Sequence, residues 1–491
     1  MEDSSQSHAM AGFVDGCASK TPTLRRLQFL VALCACNISD AVAVISIGYI
    51  LGYLNGIAPL EMELLGASVT IGMLVGGMIL GQLGDVFGRK TCLQASTLIS
   101  AVVSLASAFS PNVDVLIALR IVVGFGIGGI SPAIYSMSSE LLPASKKDKL
   151  LTFIASAWIF GSIYASVAGW IVLGDDAYGR RICPGLTWRA YAIVCAVPSF
   201  LAWLSTFLLI ESPLFLIQRG ELEMAAVSLS YMSHEDVSVE TIKIYGDHGQ
   251  YAKEASNMRL LFRSPVRLPF ALLLLIWFSF SFTSSGIMTW VATLFIQLGY
   301  TNPFADACII NFAALPGKIV SIALIGRTGR IGMLMWGTFF AGLSILGFAI
   351  DTSNASVVLF SISFYGFFNS AGANGLFAVT SDSYFPAQSK SSAVGFLTAF
   401  GRIGAIAAQF VFGSMQSNIP ELLLIASLVT FFGAAMAMAL PPCDRISAKS
   451  VSGLKTSVEG NAISPMRHND TLERGDTRTS VSNSNSLAVE Y

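Results

Sequence analysis

The chain of 491 residues is 54% hydrophobic and only 12% charged, with a formal net charge of −1. Soluble domains carry about 25% charged residues, so these proportions exclude a water-soluble fold, which would have no means of hiding so much apolar surface. Near-neutral charge without a basic stripe also excludes a nucleic-acid partner, because tracking a phosphate backbone takes clustered Lys and Arg.

Residues 1–26 are polar, hold no signal-peptide pattern and read as a cytoplasmic N-terminal tail. Beyond them, apolar stretches long enough to cross a ~30 Å hydrocarbon core recur along the chain. They fall at about 27–54, 64–83, 91–110, 114–136, 150–173, 187–210, 268–297, 304–325, 332–350, 356–379, 391–415 and 420–440. The pattern predicts an all-α membrane protein of twelve transmembrane helices in two groups of six. The first bundle covers 27–211 and the second 268–440, joined by a polar central loop at 212–267. Residues 441–491 are rich in Ser, Thr and Asn and poor in aromatics, which is the composition of a disordered tail.

Basic residues alternate between loops. Arg25, Arg26, Arg89, Lys90, Lys146, Lys147, Lys149, Arg263, Arg267, Arg327, Arg330 and Lys390 lie at the N-terminus and in every second connection. The opposite loops carry Glu61, Glu63, Asp114, Asp175, Asp176, Asp351 and Glu421, with Arg180, Arg181 and Arg189 as exceptions. Lys and Arg collect on the cytoplasmic side of a membrane. Both termini and the central loop are therefore expected in the cytoplasm, with the plasma membrane favoured over an organelle.

The cysteines Cys17, Cys34, Cys36, Cys92, Cys183, Cys195, Cys308 and Cys443 show no metal-ligand or redox spacing. Cys183 and Cys308 share one side, which leaves a pairing open. The histidines His8, His234, His248 and His468 all lie in tails or the central loop, so neither a metal site nor a histidine proton relay is expected. No cofactor is implied. The helical glycines Gly124, Gly126, Gly128 and Gly129 lack a Walker lysine and do not make a nucleotide loop. Asn354-Ala355-Ser356 is a glycosylation sequon in a short loop.

The two halves echo one another. The loop after the second span reads Gly81-Gln82-Leu83-Gly84-Asp85-Val86-Phe87-Gly88-Arg89-Lys90, and the loop after the eighth reads Ile325-Gly326-Arg327-Thr328-Gly329-Arg330. Gly124 precedes Glu140 by the same interval as Gly366 precedes Asp382. Each acid is followed by a proline (Pro143, Pro386) and then a lysine (Lys147, Lys390). Duplicated halves around a midplane site are a transporter architecture.

These residues resemble the major facilitator superfamily. Its signature loop, G-x-L-x-D-x-x-G-R-K, is matched in full by Gly81 to Lys90. Arg120 with its following glycines, Glu140-Leu141-Leu142-Pro143, Trp188-Arg189 and Glu211-Ser212-Pro213 extend the similarity over about 25–440. Within the superfamily the chain is similar to the organic-ion and aromatic-acid branch, which includes proteins like the synaptic vesicle transporters. Sugar porters share Glu211-Ser212-Pro213 but usually continue with an arginine, where this chain has Leu214. They also carry paired glutamines in the seventh helix, where residues 278–286 have none. The resemblance implies two pseudo-symmetric bundles and gating by Gly81, Asp85, Gly88, Arg89, Lys90, Glu140 and Arg330. The second loop has Gly326 in place of the acid, so the latch is expected to be asymmetric. Simple topogenic charge is the alternative reading of these residues.

Ionisable residues deep in apolar helices are the sharpest functional signal, since a charge at a helix centre costs about 2.5–3.5 kcal/mol on insertion scales. Asp40 lies mid-way along the first span and Arg120 in the fourth. In the resembled fold both helices line the N-terminal cavity, so an Asp40–Arg120 pair is expected to carry proton coupling. A static ion pair fixing helix packing is the alternative. Arg402, in the eleventh span, has no acid nearby in its own half, and its planar fork suits a carboxylate. Lys318 is expected to snorkel toward the cytoplasmic side. Trp290, Asn369, Asn374, Trp158 and Tyr164 are candidates to complete a substrate site, with packing as the alternative for each.

The chain is thus expected to be a monomeric secondary transporter, not an enzyme. It would take up a small organic anion, a monocarboxylate or aromatic acid, together with protons from across the lipid bilayer. A sugar or other neutral-solute carrier is one alternative, and a non-transporting receptor or vesicle scaffold on the same fold is another.

Overall fold

The computed structural model describes residues 2–54, 56–175, 181–245, 261, 266–380, 384–385 and 387–441. The expected tail from 442 onward, Asp176, Arg180, Arg263, Asp382, Pro386, Cys443 and part of the central loop lie outside the described residues, as do the side chains of Lys147 and Lys390. Helices run from α1 (Glu2–Lys20), α2 (Thr23–Tyr53), α3 (Pro59–Phe87), α4 (Arg89–Ser107), α5 (Val113–Leu141), α6 (Lys147–Ser156), α7 (Trp158–Leu173) and α8 (Trp188–Ser205) to α9 (Pro213–Gln218), α10 (Leu222–Ser233) and α11 (Val239–Tyr245). The second half holds α12 (Arg267–Gln297), α13 (Pro303–Thr328), α14 (Arg330–Ile350), α15 (Ala355–Thr380), α16 (Ala387–Ser414) and α17 (Ile419–Met438).

Local chemistry sets the breaks. Proline opens α3, α9 and α13, where its missing N–H is harmless. Asn112 caps α5 by accepting the Val115 N–H at 3.0 Å. Gly88 and Gly329 stand alone between α3 and α4 and between α13 and α14, with φ of 102° and 74°. A side chain tolerates such values poorly, so each Gly-Arg echo marks a one-residue corner between spans.

Among the described residues, eleven helical segments are long and apolar enough to cross a membrane. The exception is α4, whose buried Ser96, Thr97, Ser100, Ser104 and Ser107 lower its hydropathy. It packs lengthwise against α5 and α8, completing a bundle of six spans with α2, α3, α6–α7 and α8. Glycines let the helices touch backbone to backbone. A Cβ at Gly128 would meet Gly77 N at 2.5 Å, and in the second bundle one at Gly366 would meet Ile310 O at 2.5 Å. Such small-residue contacts drive helix association where no hydrophobic force is available.

The N-terminal segment corrects the expectation of a plain tail. Met10, Val14 and Cys17 of α1 are buried against Phe215, Leu216, Leu229 and Ile242 of the short helices α9 to α11, so tail and central loop form one small helical layer. Lys20 pairs with Glu235 at 2.7 Å, and Arg25 stacks 4.2 Å over the Tyr231 ring.

The basic ends of the spans carry Arg89, Arg267, Arg327 and Arg330, and the opposite, acidic ends carry Glu61, Glu63, Asp114, Asp351 and Glu421. The two bundles meet toward the acidic end. Asn311 Nδ2 donates to Ser166 Oγ at 2.7 Å, Tyr49 Oη lies 3.7 Å from Cys308 Sγ, and a Cβ at Gly48 would meet Thr289 O at 2.6 Å. Cys183 and Cys308 are both free thiols, which settles the open pairing.

Candidate functional site in the gap between the bundles

Four ionisable side chains lie within the spans: Asp40, Arg120, Lys318 and Arg402. Asp40, on α2, is 5% exposed; its carboxylate hydrogen-bonds with Ser131 of α5, and its Oδ1 has no partner. Tyr135, one turn along α5, interacts electrostatically with Asp40.

The expected Asp40–Arg120 pair does not form. Arg120 is 1% exposed and nearer the acidic end, where Nη1 donates to Ser46 Oγ at 3.2 Å. Its electrostatic neighbours are Cys195 and Tyr191, and its Nε and Nη2 have no partner. Asp40 instead interacts with Arg402 from the other bundle. Arg402 shares a face of α16 with Gln409 and Gly413, two and three turns on. Both of those residues touch α3, and Arg402 Nη1 itself lies 3.3 Å from Met73 Sδ of α3.

Lys318 also departs from expectation. It lies two turns beyond Asn311, on the face of α13 that meets the first bundle, but below the level of contact. It forms no ion pair among the described residues. Among the described residues, the second bundle therefore turns two cations, Arg402 and Lys318, and no acid toward the gap.

The expected polar and aromatic lining is partly assembled. Trp290 is fully buried and donates to Gln409 Oε1 at 2.9 Å, while Gln409 donates to Ser285 Oγ at 2.9 Å. Asn369 donates to Ser284 Oγ at 3.2 Å. Asn374 is turned to Ser321 and the Lys318 carbonyl, a link between α15 and α13. Trp158 packs on the core, and Tyr164 donates to the Val194 carbonyl at 3.0 Å, so neither is directed at the charged cluster.

At the basic end the signature loop forms a network within the first bundle. Arg89 pairs with Glu140 and lies 3.7 Å from Asp85. Glu140 accepts from Ser212, and Glu211 Oε1 accepts the N–H groups of Arg89 and Lys90 at 2.9 and 3.0 Å. A Cβ at Gly88 would meet Glu211 Oε2 at 2.5 Å. Gly81 faces Pro132 across α5, and Arg330 is exposed at the matching corner of the second bundle.

Residues 34–445 match the sugar (and other) transporter family. The chain belongs to that family. It is 28% identical over 380 residues to the niacin transporter NiaP of Acinetobacter baylyi, covering 75% of this chain and 82% of that one. It is 26% identical over 457 residues to the synaptic vesicle 2-related protein of Bos taurus, covering 88% and 78%. The partially occluded inward-open conformation of the xylose transporter XylE from E. coli superposes with a TM-score of 0.70 at 17% identity, covering 85% of this chain and 98% of that one. The fold is accordingly the twelve-helix major facilitator fold, with α4 as the third span, and the protein is a multi-pass membrane transporter rather than an enzyme.

Sequence reasoning did not single out Ser131, Tyr135, Met73, Ser284, Ser285 or Gln409 in this transporter. Gln409 carried a usable signal: it is the amide two turns from Arg402 in an apolar helix. Hydroxyls and a methionine are too common in spans to stand out.

Proposed function

We propose that this transporter carries a small organic anion, such as an aromatic monocarboxylate, in symport with a proton. The observation that supports this best is the charge balance of the gap. The described residues deep in the spans include three cations, Arg120, Arg402 and Lys318, against the carboxylate of Asp40, which interacts with Arg402 alone of the three. Low-dielectric surroundings make uncompensated cations strong attractors of anions. Arg402 offers a planar fork that matches a carboxylate. The similarity to a niacin transporter fits a ring with one carboxylate. Asp40 carries the proton, and the basic end is the open, cytoplasmic face. The carrier acts as a monomer in the plasma membrane with both termini inside.

A second reading, a sugar or other neutral solute, draws support from the hydrogen bonds Trp290–Gln409–Ser285 and Asn369–Ser284, polar groups that suit hydroxyls. Counterflow in proteoliposomes loaded with nicotinate separates the two. Excess benzoate competes and xylose does not on the anion reading. Competition by xylose with indifference to benzoate would overturn it.

A further inference from the structure

We propose that a cavity at the basic end of the first bundle binds the headgroup of an anionic phospholipid, whose chains lie along the outer face of α4 and α8. The site is separate from the gap between the bundles.

The cavity measures about 460 Å³ and lies where α3 and α4 meet the short helices α9 and α10. Ligand sites typically run to about 300–1,000 Å³. Phe215, Leu216 and Met224 give it an apolar floor. Its charged groups are Lys90, Glu211, Arg219 and Glu221, and both carboxylates are already served. Glu211 accepts the N–H groups of Arg89 and Lys90 at 2.9 and 3.0 Å, and Glu221 pairs with Arg219 at 3.0 Å. Arg219 also donates to the Val86 carbonyl at 3.5 Å, which ties α9 to the end of α3. Lys90 is left as a half-buried ammonium with no ion pair among the described residues. Thr91 and Gln94, beside it on α4, add a hydroxyl and an amide as donors. Such a wall receives a phosphate diester. A zwitterionic headgroup would bring an ammonium to a place where no carboxylate is spare.

The surface below the cavity selects the source of that anion. Thr91, Ala95, Leu98 and Val102 form one exposed stripe of α4, at helical spacing, that starts in the cavity and turns apolar down the span. Beside it α8 packs lengthwise and exposes Val197, Leu201 and Leu204 on the way to Ile210, which lines the cavity. A soluble phosphate would use the polar part and leave the rest. A phospholipid in the leaflet at the basic end uses both. Its headgroup also meets the latch, because Glu211 lines the cavity and holds the first two amides of α4.

Native mass spectrometry of the full-length protein, equilibrated in micelles with equal amounts of phosphatidylglycerol and phosphatidylcholine, counts the lipids retained. One lysine at an anionic surface is worth about a fivefold preference, so wild type should hold one phosphatidylglycerol by roughly that margin. Lys90→Gln should lose the preference and Lys90→Arg keep it. Lys243→Gln, at an exposed lysine outside the cavity, should also keep it. Equal retention of both lipids by wild type, or an unchanged preference in Lys90→Gln, overturns the site. Ser228→Phe, which fills the cavity and leaves Lys90 untouched, should lower phosphatidylglycerol retention even where Lys90→Gln does not fold, and undiminished retention overturns the site as well. Excess glycerol phosphate, a headgroup without chains, should leave the lipid in place. Displacement by it would mark a site for a soluble phosphate and overturn the lipid. Phosphatidylglycerol with a diazirine in its acyl chain should label α4 near Leu98 and Val102 or α8 near Leu201 and Leu204. Label confined to the second bundle contradicts the placement.

Discussion

Arg120 presents a cation in a place built of neutral groups. One nitrogen donates to Ser46 while Nε and Nη2 are buried and unserved. Leaving buried donors unsatisfied costs about 1–3 kcal/mol. Arg120→Met is therefore expected to raise thermal stability while slowing the transport cycle, measured by melting and by counterflow on one preparation. A lower melting temperature would mean that the guanidinium stabilises this state. At Arg402 the expected effect has the opposite character. Arg402→Gln removes a charge-assisted contact worth about 1.5–3 kcal/mol, so nicotinate affinity should fall roughly ten- to hundredfold with little change in melting. The charges themselves were legible in the sequence, because Asp, Arg and Lys in apolar runs have few reasons to be there. Their pairing was not. Asp40 and Arg402 come to one level only through the docking of one bundle on the other, and spacing along a helix carries no record of that.

The helices follow from punctuation more than from hydropathy. Gly88 and Gly329 turn corners that the repeated Gly-Arg pairs announced. Gly88→Ala places a methyl against Glu211 in a backbone region side chains avoid. It should slow transport and lower the melting temperature, and an unchanged variant would show that the corner relaxes freely. Gly128→Leu overpacks the crossing of α3 and α5, where such insertions cost about 1–3 kcal/mol. Loss of folded protein in size-exclusion chromatography is the expected readout. The spans were legible to within a few residues, including α4 despite its serines. The layer formed by α1 with α9 to α11 was not. Met10, Val14 and Cys17 recur at helical spacing, but three apolar residues in a polar stretch are a faint stripe, and the partner surface lies far along the chain.

In the whole molecule, the two bundles touch toward the acidic end, and Asp40 of one interacts with Arg402 of the other. Cysteines introduced at Ser166 and Asn311, whose side chains are hydrogen-bonded across the seal, should crosslink on oxidation. The crosslink should halt counterflow until a reductant is added. Free turnover with the crosslink formed would show that the acidic end stays closed throughout. The latch joins Asp85, Arg89, Glu140 and Glu211 within the first bundle. Its matching corner at Gly329 and Arg330 has Gly326 where the first has Asp85.

Nicotinate accumulation in proteoliposomes under an imposed pH gradient tests the account most directly. One proton per anion makes each pH unit worth about 1.4 kcal/mol, which is roughly tenfold accumulation on the alkaline side. Wild type should approach that ratio, and Asp40→Asn should only equilibrate. Uptake indifferent to the gradient, or full accumulation by Asp40→Asn, would contradict it.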